Sequence, residues 1–280
     1  MNLEPFSVYQ RVELNRSPLT IKGYFADLAR FDAWCRERPV TRELVREYLG
    51  SKEWSAASRC RVVSALRSYY EWAVDNGHET ADPTHGMRMP KIPERLPVYP
   101  SADQMNAFLS LEPRRGCRES ARDTAIAHLL AVLGLRRGEI VGLNVGDVNE
   151  AEWKLRVVGK GNRERQLPLF DETKKVVAAW LAERDSHKPI DEALFVTGTG
   201  ARISNSTVHE VATRRSSIAF GRPMSPHKFR HGAFTRMCAQ GHDLLTIKEV
   251  AGHKNIQTTT IYTHCAGKKI EDAVRGNAPK

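Results

Sequence analysis

Residues 225–265 read SPHKFRHGAFTRMCAQGHDLLTIKEVAGHKNIQTTTIYTHC. Ser225 followed by Pro226 is an N-cap with proline at the first helical position, so a helix opens there. His227 and Arg230 are three apart and share one face of its first turn. That turn also carries unpaired backbone N–H groups, which favour an anion. A guanidinium beside an imidazole suits the two non-bridging oxygens of one phosphate. Phe234, Met237 and Cys238 are expected to anchor the helix to a core. A shorter helix is expected from Asp243 to Ala251, stopped by Gly252 just before His253. Thr258 can then cap a last turn carrying Ile261 and Tyr262. His227, Arg230, His253 and Tyr262 thus fall within 36 residues.

Taken singly, each has an ordinary explanation. HKFRH spaces two histidines as metal-binding helices do, but the HExxH glutamate is missing, so no metal is expected. His253 alone is a helix C-terminal histidine favoured by the dipole. Tyr262 alone is a packed tyrosine. The joint pattern, together with two cations upstream, is what carries information.

The first of those cations is Arg136, in GLRRGEIVGL, between a helix that Gly134 ends and a short helix that Glu139 opens. An arginine at such a turn is usually solvated, yet it can also point into a cleft. The second is Lys160. WKLRVV and RQLPL, between Trp153 and Leu169, read as two strands of a hairpin with GKGNRE as the turn, and Lys160 sits at its tip between Gly159 and Gly161. Those glycines let backbone approach a ligand; a solvent-facing turn lysine is the plain alternative. The GxxxxGK[ST] spacing of a phosphate loop is absent. Asp171 is expected to cap a helix to Arg184, Leu194 to Val196 to form a short strand, and Ser204 to begin a helix to Ala219. Before Arg136, helices are expected from Ser101 to Ser110 and from Arg118 to Leu133.

Further towards the N-terminus the text changes. Pro90, Pro93, Pro97 and Pro100 prevent a helix and favour an extended basic connector, 91–100, between a helical domain at 1–90 and a second domain at 101–280. In the first domain residues 1–16 lack a period. Ser17-Pro18, Thr41 and Ser55 then start three helices, with Ile21, Phe25, Leu28, Phe31 and Cys35 as the stripe of the first. Asn76-Gly77 ends the third as a left-handed cap. Lys22, Arg30, Arg59, Arg61 and Arg67 lie on the polar faces.

The chain of 280 residues has a net charge of +10. Residues 1–95 hold 15 Lys+Arg against 13 Asp+Glu, and residues 96–280 hold 28 against 20, so the excess lies in the second domain. A polyanion is the expected partner. No run of eighteen apolar residues exists, so no membrane span is expected. Five scattered cysteines without a CxxC pair suit a reducing cytoplasm.

GLRRGEIVGL, VVGKGNRERQLPL, SPHKFRH and AGHKNIQTTTIYTH, in this order, resemble the tyrosine recombinase (phage integrase) family, in particular its short Xer-like members. The resemblance covers 101–265 in motif detail and the helical N-terminal lobe more loosely. Val250-Ala251 stand where many members have two leucines. Gly232 replaces a small side chain inside a helix, at a propensity cost of about 1 kcal/mol. The resemblance implies a mainly α fold with a small β-sheet: a SAM-like helical core-binding domain plus a breaking-rejoining catalytic domain. It assigns catalysis to Arg136, Lys160, His227, Arg230, His253 and Tyr262, with Tyr262 as nucleophile. It implies a 3′-phosphotyrosyl intermediate on double-stranded DNA, without metal, ATP or any cofactor. It further implies a homotetramer on two sites, monomeric or dimeric when free. Relaxation of the type IB topoisomerase kind, and a non-catalytic DNA-binding protein on the same fold, are the alternatives. Neither the target sequence nor an accessory DNA-bending protein is readable from the chain.

Overall fold

A computed structural model of the protein describes residues 1–89, 98–111, 120–159 and 161–252, and its chain divides into two units, Met1–Arg95 and Leu96–Lys280. Most of the connector expected at 91–100 lies outside the described residues.

The first unit holds α1 (Leu3–Val12), α2 (Pro18–Cys35), α3 (Arg42–Gly50) and α4 (Ala56–Asp75). The side chains of Ser17, Thr41 and Ser55 accept from the backbone N–H groups of Thr20, Leu44 and Ser58, as expected of N-caps. Gly77 takes the left-handed conformation after α4, with φ of 70°. The helix α1 was not expected. Only Phe6 and Gln10 of it are buried, too few to print a period. Tertiary contacts hold it instead: Phe6 meets Tyr69 edge-on at 5.4 Å, and the N-terminal ammonium pairs with Asp32 at 3.2 Å. Leu28, Phe31 and Cys35 of the expected α2 stripe are buried, but Phe25 stays exposed. Asp27, on the buried side of α2, is a carboxylate that pairs with both Arg30 (3.1 Å) and Arg61 (2.9 Å).

The second unit comprises α5 (Ala102–Leu109), α6 (Ser120–Ala131), α7 (Arg137–Gly142), β1 (Val148–Asn149), β2 (Lys154–Val158), β3 (Glu164–Pro168), α8 (Asp171–Arg184), α9 (Asn205–Phe220), α10 (Pro226–Ala239) and α11 (Leu244–Ala251). Its core forms around α6, where Ala125, Ile126, Ala127, Leu129, Leu130 and Ala131 are all fully buried. The polar residues Arg122, Asp123, Thr124 and His128 of α6 are buried as well, so the helix is covered on every side; α5, α8, α9 and α10 pack against it. The sheet is antiparallel in the order β1-β2-β3. Val148 faces Leu155, and Leu155 faces Leu167. Leu155, Val157 and Leu167 turn their alternate positions into the core.

Two further expectations need correction. Leu194 to Val196 is not a strand: only isolated bridges, Asn144–Ala193 and Val196–Arg202, flank it. It is buried nonetheless, because side chains supply what a sheet would. Trp180 Nε1 donates to Leu194 O at 2.8 Å, Arg184 Nε to Ala193 O at 2.8 Å and Arg122 Nη1 to Val196 O at 2.9 Å. Asp171 is the first residue of α8 rather than its cap, which is Phe170 without a side-chain bond. The sequence cost at Gly232 has a packing reason. A Cβ there would lie 3.0 Å from Met105 Cε and 3.2 Å from Pro100 Cδ, so a side chain would have to push both neighbours aside by a few tenths of an ångström. One position earlier, the His231 ring stacks on Tyr99, 5.3 Å between centroids and 5° from parallel.

Candidate active site

Arg136, His227 and Arg230 come together in the second unit, between the start of α7, the first turns of α10 and the end of α11. Lys160, His253 and Tyr262 lie outside the described residues, as does the turn that Thr258 was expected to cap. The sequence neighbours of two of them are described: Gly159 directly follows β2, and Gly252 caps α11 in the left-handed conformation, with φ of 60°.

Arg136 is the N-cap of α7. An arginine cannot accept the first-turn N–H groups, so the capping is done from the other side: the Glu139 carboxylate accepts the Arg136 backbone N–H at 2.8 Å. The same carboxylate accepts from Arg136 Nη1 at 2.8 Å. This i,i+3 pair aims a guanidinium that stays 40% exposed across a carboxylate that is 5% exposed. Arg230 differs. It is 5% exposed, and it donates to Gly134 O at 2.5 Å and Ala251 O at 2.6 Å. Its guanidinium lies 4.7 Å from the centroid of the Phe234 ring. Gly134 takes φ of 63°, and its own Cβ would strike that ring at 2.8 Å. Glycine is therefore required at the turn that leads into Arg136.

Two further residues belong to the cluster that sequence reasoning left out. Glu139 was seen only as the start of a helix. Arg165, on β3, was not singled out. Arg165 Nη1 and Nη2 donate to the two Glu139 oxygens at 3.1 and 3.0 Å, and its Nε to Val250 O at 2.9 Å. Arg136 Nη1 also reaches Ala251 O at 3.2 Å. The last carbonyls of α11, which no intrahelical N–H can satisfy, are thus held by three arginines. For Glu139 the i,i+3 spacing to Arg136 was a usable signal. Arg165 had none, because its partners lie 26 and 85 positions away.

Electrostatics follow from this crowding. Burial would raise the Glu139 pKa, but hydrogen bonds from Arg165 and from the Arg136 backbone, with both positive charges, hold it below the usual carboxylate range. His227 is lowered by desolvation, then by the charges of Arg230 and Arg136. Its imidazole is therefore neutral at neutral pH and can accept a proton. The arrangement brings together an exposed cation, a buried cation and a neutral base, chemistry suited to an oxyanion and to accepting a proton.

In the first unit, the basic residues seen in the sequence have mixed fates. Arg30 and Arg61 are steered by Asp27 but remain about half exposed, at 55% and 54%. Arg67 donates to Met87 O at 3.0 Å.

Comparison with known proteins places these features in a family. Residues 101–269 match the phage integrase family, and residues 3–77 match the phage integrase N-terminal SAM-like domain. The chain is 32% identical over 282 residues to the tyrosine recombinase XerC of Corynebacterium efficiens, covering 99% of this chain and 91% of that protein. Its fold matches the XerH site-specific recombinase bound to a palindromic difH substrate in a post-cleavage complex, with a TM-score of 0.74 at 20% identity, over 97% of this chain and 83% of that one. It also matches a lambda integrase tetramer bound to a Holliday junction, with a TM-score of 0.70 at 17% identity, over 93% and 75% of the two chains.

Proposed function

The chain belongs to the phage integrase family, and from that premise we propose that it is a site-specific tyrosine recombinase in which Tyr262 breaks and rejoins DNA strands. The observation that carries the reading is the cluster of Arg136, Arg230 and a neutral His227 around Glu139 and the end of α11.

The chemistry follows from those groups. A free tyrosine has a pKa of about 10 and needs help to ionise at neutral pH. His227, kept neutral, takes the phenolic proton as the Tyr262 oxygen attacks phosphorus. A new P–O bond forms to the tyrosine and the P–O5′ bond breaks. Lys160 supplies the proton that the departing 5′ oxygen takes up. Arg136 and Arg230 neutralise the charge that grows on the non-bridging oxygens. His253 hydrogen-bonds one of them and orients the tyrosine. The phosphotyrosyl ester keeps the energy of the broken linkage, so rejoining by a 5′-hydroxyl requires no ATP.

The helical domain, 1–90, contacts the core site alongside the catalytic domain, 101–280, and exchange proceeds in a homotetramer on two duplexes in the cytoplasm. The lambda integrase tetramer on a Holliday junction, of the same fold, supports that assembly. In the C-terminal GKKIEDAVR segment Ile270 and Val274 fall on one side of a short helix, and in this reading that helix docks on a neighbouring protomer, the alternative being packing on its own chain. Among the described residues no helix is long and apolar enough to cross a membrane.

The test is covalent capture. On a nicked suicide duplex in excess chelator, the wild-type protein is expected to form an adduct that resists denaturation, and Tyr262→Phe none. An adduct that survives in Tyr262→Phe, or one that forms only with magnesium, overturns the assignment. Removal of residues 267–280 is expected to abolish synapsis but not binding to a single site.

A further inference from the structure

We propose that Arg165 is a positioning residue for strand cleavage: its guanidinium sets the hairpin turn and the end of α11 in fixed relation to Arg136, and so delivers Lys160. The proposal rests on the reading of Lys160 as the proton donor. Arg165 faces Val157 across the β2–β3 ladder, yet its side chain leaves the sheet and is 11% exposed. It bonds both oxygens of Glu139, the carboxylate that also aims Arg136, and the Val250 carbonyl of α11.

The glycines beside it sharpen the point. A Cβ on Gly159 would lie 3.6 Å from both Arg165 Nη1 and Glu139 Oε1, and a Cβ on Gly252 would lie 2.9 Å from Arg165 Nη1. Gly159 immediately precedes Lys160, and Gly252 immediately precedes His253. One planar cation therefore lies against the residue before each. Gly159 is also fixed across the turn, its N–H donating to Arg163 O at 2.7 Å. Three bonds in a fixed fork are beyond a lysine, which offers a single nitrogen.

A leaving-group experiment separates positioning from bulk structure. A suicide substrate with sulfur in place of the 5′ bridging oxygen loses its P–S bond as a thiolate, which departs without taking a proton. On the ordinary phosphodiester, Arg165→Lys and Arg165→Gln are expected to cleave at least about tenfold more slowly than wild type, equivalent to about 1.4 kcal/mol of barrier. On the sulfur substrate both are expected to return to within about threefold of wild type. Non-covalent DNA affinity of Arg165→Lys is expected to stay near wild type, and its melting point to fall less than that of Glu139→Ala, because the positive charge beside Glu139 is kept. Lys160→Ala, assayed in parallel, is expected to show the same rescue. If Lys160→Ala is rescued and the Arg165 variants are not, the positioning role is overturned while the proton-donor reading stands. If Lys160→Ala is not rescued, the proton-donor reading itself fails, and the proposal with it. Wild-type cleavage of the ordinary substrate by Arg165→Lys, or a loss of affinity as large as its loss of cleavage, also overturns the proposal.

Discussion

Replacing Glu139 by alanine removes the carboxylate shared by Arg136 and Arg165, with Arg230 Nη1 3.9 Å away. Four donor contacts between 2.8 and 3.1 Å lose their acceptor. Arg165 and Arg230 are themselves 11% and 5% exposed, so water cannot fully replace it. Breaking a buried pair from one side costs roughly 3–5 kcal/mol, because the remaining charge stays buried. For a domain of this size each kcal/mol moves the melting point by about 2–4 °C, so a fall of roughly 10 °C is expected. Glu139→Gln keeps the shape and loses the charge, and is expected to fall between alanine and wild type. The pH dependence identifies the cause. A carboxylate held below its ordinary value contributes stability that is present above about pH 4.3 and is lost as pH falls through the folded value. Urea melts of wild type and Glu139→Gln should therefore differ at pH 7 and converge on acidification below about 4.3. A Glu139→Ala protein melting within about 2 °C of wild type at pH 7 would refute the reasoning.

His128 is buried and its pKa is lowered to about 4, chiefly by burial and then by the charge of Arg215. The unfolded chain binds that proton first, so stability should decline between about pH 6.5 and 4, by about 3 kcal/mol from this group; His128→Leu should remove that share of the slope in urea melts. Cleavage by the wild-type protein should hold steady down to pH values below about 6.5, since lowering keeps His227 neutral, and the acid limb should vanish with most of the rate in His227→Gln, read from single-turnover pH profiles. Gly134→Ala should destabilise by at least about 2 kcal/mol, from a left-handed backbone and the Phe234 collision, whereas Gly138→Ala, with nothing within 4 Å, should gain about 0.5–1 kcal/mol in the same melts.

Elements with their own local chemistry were legible. Ser17, Thr41, Ser55, Ser101 and Ser204 each accept a backbone N–H where the sequence put a helix start. The β2–β3 hairpin was read from alternation flanking a glycine turn. What escaped depended on partners distant in the chain. The helix α1 has two buried positions and borrows its order from Tyr69 and Asp32. The segment from Leu194 to Val196 carries strand composition, but Trp180 and Arg122 occupy the carbonyls of Leu194 and Val196, and Arg184 that of Ala193 just before it. In the candidate site, the arginine of α7 and the pair on α10 stood out because their spacing within a turn has meaning. The binding of Arg165 to α11 has no local trace. Burial of Phe25 was expected from its place in the stripe; the bundle leaves that flank uncovered.

The carbonyl end of α11 has a consequence for the protein before it meets its substrate. Cations gathered for a phosphate repel one another while the phosphate is absent. Here the oxygens of Ala251, Val250 and Glu139 supply a resident negative counterpart, so the array stands assembled at rest. On the proposed reading a phosphodiester would meet guanidinium groups that are already held in place, and the helix that anchors them is the one whose cap, Gly252, precedes His253.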